Sequence, residues 1–295
     1  MKLLFSILFI GFFCSLTHSG FAQAEQDTTY HVETKDGNEF FGKIVSQDEE
    51  KIKLKTEKLG EIAIQKTEIR SIVPINTNRI IRGKYWFDNP QSARYFWSPN
   101  GYGLKKGEAY FQNVWVLFNQ VSVGITNNFS IGAGLVPLFL FSGSPTPIWI
   151  TPKFSIPLSG NKVNLGVGAL LGTVVGTSHS DFGLVYGITT FGTRDRNVSL
   201  GVGYGYAGGQ WGNTPTVSLS TMLRISPKIY LMSENYYLDT GQDVLVLTSF
   251  GGRWVISKVG IDFGMIMPVV VHEDLFVIPW LGVTVPFGKV NSPKR

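Results

Sequence analysis

The sequence predicts an all-β fold: a transmembrane, antiparallel, up-and-down β-barrel of about twelve strands preceded by a small β-domain. Three observations predict it. Charge is concentrated in one short stretch, apolar residues alternate with glycine, serine, asparagine or threonine along the candidate strands, and tight polar turns alternate with longer connections.

The 295-residue chain has 34 glycines and 16% charged residues, with a mean hydropathy of +0.10. After its N-terminus no apolar run approaches the roughly 18 residues of a spanning helix, which excludes a helical membrane protein. Its Val, Ile, Leu and Phe content excludes disorder, and glycine without a Gly-X-Y period excludes collagen. The net charge of +5 comes without a basic tract, so no nucleic-acid partner is expected.

Lys2 followed by the apolar run Leu3 to Leu16, then Ala22 and Ala24 in an A-x-A pattern, reads as a signal peptide over 1–24; cutting after Ala22 is the close competitor. The sole cysteine, Cys14, lies in this run behind the bulky Phe13, which argues against lipidation. The exported chain then carries no thiol, hence no disulfide, cysteine-ligated metal or thiol nucleophile. No cofactor or metal is expected.

Residues 25–75 hold 11 acidic and 8 basic residues, whereas 76–295 hold only 10 acidic and 17 basic. In 25–75 short runs alternate with period two: His31-Val32-Glu33-Thr34, Phe41 to Val45, Ile52 to Thr56, Ile62-Ala63-Ile64 and Ile69 to Ile72, with a turn at Asp36-Gly37. Such alternation makes a half-buried antiparallel sheet. The stretch 76–108, with Asp88-Asn89-Pro90 and Ser98-Pro99-Asn100-Gly101, is polar, aromatic and turn-rich, and reads as a linker or docking segment.

Strands are expected at about 109–117, 119–126, 129–141, 148–158, 163–175, 182–192, 197–207, 214–225, 229–239, 243–256, 259–270 and 275–287. One face of each is large and apolar, as in Val198, Leu200, Val202 and Tyr204; the other is small and polar, as in Ser199, Gly201 and Gly203. A soluble sandwich would place bulk inside and Lys or Glu outside. Apolar residues facing lipid around a small polar lumen give the barrel pattern. The tight turns include Asn127-Asn128, Arg194-Asp195-Arg196, Ser226-Pro227-Lys228 and Ser257-Lys258, and the connections between them are longer. Short turns belong to the periplasm, which places both termini and the small domain there. The barrel is thus expected over 109–287, with a tail at 288–295, in the outer membrane of a Gram-negative bacterium; lipid and lipopolysaccharide are the implied surroundings.

Three resemblances add to this. The pattern from Val32 through Asp36-Gly37 to Lys43-Ile44, then Ile52 to Thr56, Gly60 to Ile64 and Ile69 to Ile72, resembles SH3-like or Sm-like small barrels, about 45 residues long. It implies a spacer or contact module; RNA binding does not carry over to an exported, net-acidic domain. Gly282 to Phe287 resembles the C-terminal assembly signal of outer-membrane proteins, with Trp280 where a polar residue is usual, and implies recognition by the barrel-assembly machinery. Lys105 to Asn113 and Gly124 to Gly132 resemble uncharacterised outer-membrane barrel proteins of Bacteroidetes-type bacteria, which implies a fold and a location only.

Catalysis is not expected. His179-Ser180-Asp181 and His272-Glu273-Asp274 fall in external loops, adjacent strand residues face opposite ways, and no GxSxG elbow occurs. The lumen charges point further. A two-residue turn at Ser257-Lys258 puts Arg253 opposite Asp262, facing inward; the turn at 226–228 puts Arg224 opposite Tyr230, with Glu234 farther along the same face. Lys153 and Glu108 join them. Such groups form a polar constriction or a charge ladder filling a narrow interior. The expected function is a narrow channel for small solutes. The alternative is a structural barrel anchoring the small module to peptidoglycan or a periplasmic protein, and an outer-membrane lipid hydrolase stands third.

Overall fold

The computed structural model describes residues 28–75, 79–81, 84–159, 162–178, 180–239, 244–270 and 276–288. The signal peptide expected at 1–24 with Cys14, the tail after Gly288, and His179, His272, Glu273 and Asp274 lie outside the described residues. The chain divides into two compact units between Tyr85 and Trp86.

The first unit is built from short alternating strands. β1 (Thr29–Thr34), β2 (Glu39–Gln47), β3 (Lys51–Thr56), β4 (Gly60–Gln65) and β5 (Ile69–Ile75) form one antiparallel sheet in the order β4-β3-β2-β1-β5. A single 3-10 turn, Lys66–Glu68, joins β4 to β5. Alternation buries Val32, Ile52, Leu54 and Ile64 as a small core, flanked by Tyr30, Phe40, Ile44, Ile62 and Ile69. The opposite parity of β3, Lys51, Lys53 and Lys55, points away from that core. At the β2–β3 turn Asp48 Oδ1 accepts the backbone N–H groups of Glu50 (2.9 Å) and Lys51 (2.8 Å), an Asx-type turn. β6 (Ile80–Ile81) and β7 (Lys84–Tyr85) form a further two-stranded pair.

The second unit is a closed antiparallel barrel of 12 staves. They are β8 (Glu108–Val114), β9 (Phe118–Gly124), β10 (Phe129–Leu135), the collinear pair β11 (Thr146–Ile150) and β12 (Lys153–Leu158), β13 (Val163–Val175), β14 (Phe182–Thr193), β15 (Arg196–Ala207), β17 (Thr216–Arg224), β18 (Ile229–Asp239), β19 (Val244–Ile256), β20 (Val259–Val270) and β21 (Ile278–Gly288). A two-residue strand, β16 (Gln210–Trp211), folds back on β15. Pairing of β21 with β8 closes the ring. Pro152 breaks the ladder between β11 and β12 without a register slip, because Gly132 and Thr151 still exchange backbone hydrogen bonds.

The dyad pattern sorts the faces. Phe154, Val167, Leu200, Leu219, Phe250 (59% exposed), Phe263 and Leu281 stand on the outside, while Ser155, Ser199, Ser220, Ser249, Arg253, Asp262 and Thr284 are buried within. An apolar shell of this extent is incompatible with water and suits hydrocarbon, where a closed ring is the one sheet without unpaired edges. The barrel fold therefore points to an outer membrane.

Two expected boundaries change. The first stave ends at Val114, where Trp115 and Val116 take positive φ and turn the chain back. The third ends at Leu135: Pro137–Ser142 is a short helix closed by Gly143 in the left-handed region. The apolar run 136–141 carries strand-like residues, but Pro137 cannot donate to a ladder and fits the first turn of a helix.

Candidate functional site

The sequence 86–104, read above as part of a linker or docking segment, lies inside the barrel. Its core is a small hairpin. The Tyr95 N–H donates to the Ser98 carbonyl (2.9 Å), Arg94 bridges Pro99, and the Asn100 N–H donates to the Ala93 carbonyl (3.1 Å). Asn100 braces the bend: its Nδ2 donates to the Ser92 carbonyl (3.0 Å), and its Oδ1 accepts the Tyr102 N–H (2.9 Å). Tyr95, Phe96, Gln91 and Asn100 are buried, although a linker of this composition would lie in water.

Side chains around the ring hold the hairpin. The Arg253 guanidinium, fully buried, donates to both carboxylate oxygens of Asp262 (2.6 and 2.9 Å). It also donates to Asn89 Oδ1 (2.8 Å), the Gln91 carbonyl (2.8 Å), Gln91 Oε1 (2.8 Å) and the Tyr95 carbonyl (2.9 Å). All five of its N–H groups are therefore used, which is what a charge needs to persist away from water. Thr284 on the last stave also donates to Gln91 Oε1 (3.2 Å).

Glu234 is committed to the hairpin tip. Its Oε2 accepts three consecutive backbone N–H groups, from Phe96, Trp97 and Ser98, each at 3.0 Å, and its Oε1 accepts the Tyr236 hydroxyl (2.8 Å). Successive main-chain N–H groups converging on one oxygen make an anion nest, here occupied from the wall. Lys153 satisfies its ammonium on three carbonyls, those of Ala93 (3.3 Å), Asn100 (3.1 Å) and Tyr102 (2.6 Å).

Arg224 anchors the start of the segment. It reaches the Phe87 carbonyl (2.8 Å), pairs with Asp195 (3.2 Å), and lies over the rings of Trp86 (4.7 Å) and Tyr230 (5.0 Å). Arg194, in the tight turn after β14, holds Ser92 Oγ (2.6 Å) and the Gly103 carbonyl (2.8 Å). Tyr95 hydrogen-bonds Asn197 and Ser199 (2.6 Å each), and Thr190 Oγ1 accepts the Gly101 N–H (2.7 Å).

The structure thus places all five polar residues singled out in the sequence, Lys153, Arg224, Glu234, Arg253 and Asp262, on the inner wall, and four of them contact one segment directly. Sequence reasoning missed the segment itself and Arg194. Glu108, expected beside the lumen charges, accepts the Lys105 N–H (2.8 Å) where the chain leaves the hairpin and enters the first stave. Ser180, weighed above as a nucleophile, donates to the Val174 (3.0 Å) and Thr177 (3.1 Å) carbonyls and so braces its own loop.

Both ends of the segment lie with the tight turns: Arg194, Asp195 and Pro227 surround its start, and the Lys106 N–H meets Asn127 Oδ1 (3.2 Å) at its end. The tip meets aromatic rings, Trp97 with Phe118 (5.7 Å) and Trp280 (6.3 Å), and Phe96 with Trp280 (5.5 Å). Against the tip lies a cavity of about 80 Å³ whose lining includes Arg94, Trp97, Thr151, Tyr186, Ser218 and Tyr236. A larger concavity of about 760 Å³ is lined mainly by outward-facing apolar residues such as Val121, Ile148, Ile150 and Leu171, and is a lipid-side groove.

No protein-family model and no curated protein matches the chain. Among solved structures it is similar to a KdgM porin, at 10% identity over 61% of this chain and 99% of that one, with a TM-score of 0.46. It is also similar to a KdgM porin in complex with disordered oligogalacturonate, at 10% identity over 61% and 98%, with a TM-score of 0.45.

Proposed function

We propose that the chain is a porin-like outer-membrane barrel for small solutes whose passage is restricted by its own segment 86–104. One observation carries the reading: an apolar-shelled, polar-lined barrel contains a hairpin fastened at the tight-turn end, with a small cavity against its tip. Tight turns belong on the periplasmic side, so the termini and the small domain lie in the periplasm and the cavity opens toward the outer loops. Solute enters by the loops, and the hairpin sets how much crosses. The first unit is an SH3- or Sm-like contact module for peptidoglycan or a periplasmic protein, supported by its five short strands and the 3-10 turn before the last.

A lock tests this directly. A Cβ built on Gly103 would sit 3.0 Å from the Cβ of Ser155, about 0.8 Å closer than the mean disulfide separation, so a small outward shift lets Gly103→Cys with Ser155→Cys in a Cys14→Ser background tie segment to wall. In planar bilayers the purified full chain is expected to show small, discrete conductance. Oxidising the double variant is expected to lower that conductance at least several-fold, and reduction to restore it. Unchanged conductance in the oxidised form contradicts control of passage by movement of the hairpin.

A second reading, a filled structural barrel, is favoured by the saturation of the wall charges Arg253, Lys153 and Glu234, each of which holds the hairpin by several hydrogen bonds. Silence in both redox states, together with capture of a periplasmic partner or peptidoglycan by the full chain, establishes it over the channel.

A further inference from the structure

Among the lumen charges Arg94 stands apart. Arg224 and Arg253 have carboxylate partners, and Arg194 and Lys153 are held by hydroxyl or carbonyl oxygens. The Arg94 backbone makes the hairpin bridge, yet its guanidinium has no hydrogen-bond or ion-pair partner among the described residues. It is only half-buried and lines the cavity at the hairpin tip. Lys153, Tyr186 and Tyr236 lie within its electrostatic reach. The nearest carboxylate known in that neighbourhood, Glu234, is already engaged by three main-chain N–H groups and the Tyr236 hydroxyl. The five donors of the Arg94 guanidinium line a space whose largely apolar wall, with Leu170, Leu184 and Ile188, also carries hydroxyls at Thr151, Ser218, Tyr186 and Tyr236.

We propose that this cavity is a binding site for a small oxyanion, a carboxylate or phosphate group, with Arg94 as its principal ligand. A planar guanidinium matches the two oxygens of either group, and a low-dielectric wall strengthens the pair. Thr151 and Ser218 supply neutral donors to the remaining oxygens, and the Trp97 and Tyr186 rings close the sides. The volume, about 80 Å³, suits a single small anion rather than a polymer. Sequence position gives the site a second property. Arg94 and the nest that holds Glu234 are on one five-residue stretch, 94–98, so an anion binds to the hairpin and not to the wall alone. The proposal rests on the reading that the cavity is reached from the loop end.

Inorganic phosphate is the probe. Titrated into the full chain in detergent, it is expected to give a saturable change in tryptophan fluorescence that weakens with added sodium chloride. Choline chloride at equal ionic strength is expected to give none. Arg94→Gln is expected to weaken phosphate binding at least about tenfold, the loss of one charged hydrogen-bond donor set, while Arg94→Lys retains part of it. Ser218→Glu, which leaves the hairpin intact and adds a carboxylate to the cavity wall, is expected to weaken it by a similar factor. No saturable response in the wild type, or wild-type affinity in Arg94→Gln and Ser218→Glu chains that remain folded, overturns the site. Conductance separates this from the function proposed above. Conductance without phosphate binding removes the anion site alone, and phosphate binding with silence in both redox states keeps the site and removes the passage.

Discussion

Arg253 differs from most buried cations in how its partners are divided. Two acceptors belong to Asp262 and four to the hairpin. Replacing an ordinary buried pair by apolar residues is often neutral, whereas removing one partner is costly. Here Arg253→Met is expected to lower unfolding stability by about 3–5 kcal/mol. Adding Asp262→Met is expected not to rescue it, because the hairpin acceptors stay orphaned. Urea midpoints in detergent check both, and full rescue by the second change would show that the hairpin contacts contribute nothing. Glu234→Ala orphans three N–H groups and is expected to cost about 3 kcal/mol, against about 1 for Glu234→Gln, which keeps an acceptor. The Arg253–Asp262 pairing could be counted from the Ser257-Lys258 turn. The nest at Phe96, Trp97 and Ser98 could not, because main-chain N–H groups leave no mark on residue type. In the first unit, the Lys51 and Glu50 backbone N–H groups hold the Asp48 carboxyl below its usual range. A depressed folded-state pKa contributes stability above the ordinary value that is lost as pH falls through the depressed one. Amide protection factors in β3 are expected to fall as pH drops below about 4, and Asp48→Asn is expected to flatten that fall.

At the scale of the element, stave and turn are written in residue type. Period-two alternation places Val198, Leu200 and Val202 outside and Ser199 and Gly201 inside before any coordinates are known, because lipid and lumen ask for opposite surfaces. The pairing Gly251–Gly264 shows what glycine does there: a methyl at Gly251 would overlap the Phe263 carbonyl and the Gly264 backbone. Gly251→Val is expected to abolish the folded, heat-modifiable band on gels, and normal folding would refute that reading of the close approach. Ends of elements are less legible. Val116 adopts φ 65°, costly for a β-branched residue, and it is held by the Asn113 side chain (3.1 Å). Val116→Gly is expected to raise stability by about 1 kcal/mol in the same urea measurement. The run 136–141 misleads for a related reason: its residues favour a strand, and the missing N–H of Pro137 decides otherwise.

For the whole molecule, composition separates the solvents. The charge-dense 25–75 stretch faces water, and the glycine-rich remainder divides between lipid and lumen. What composition leaves out is that the lumen carries its own occupant. Asn89, Gln91 and Tyr95 have no periodicity, and their side chains find partners on the inner wall that lie far away in sequence. A stretch that reads as a linker by pattern is a plug by contact. Disulfide formation between Gly103→Cys and Ser155→Cys in intact outer-membrane fragments tests this most directly. Rapid, near-complete cross-linking on mild oxidation, with both thiols shielded from a bulky water-soluble maleimide beforehand, is the predicted result. Free labelling of residue 103 without a cross-link, in a barrel that is otherwise folded, would place the segment outside the lumen and contradict the account.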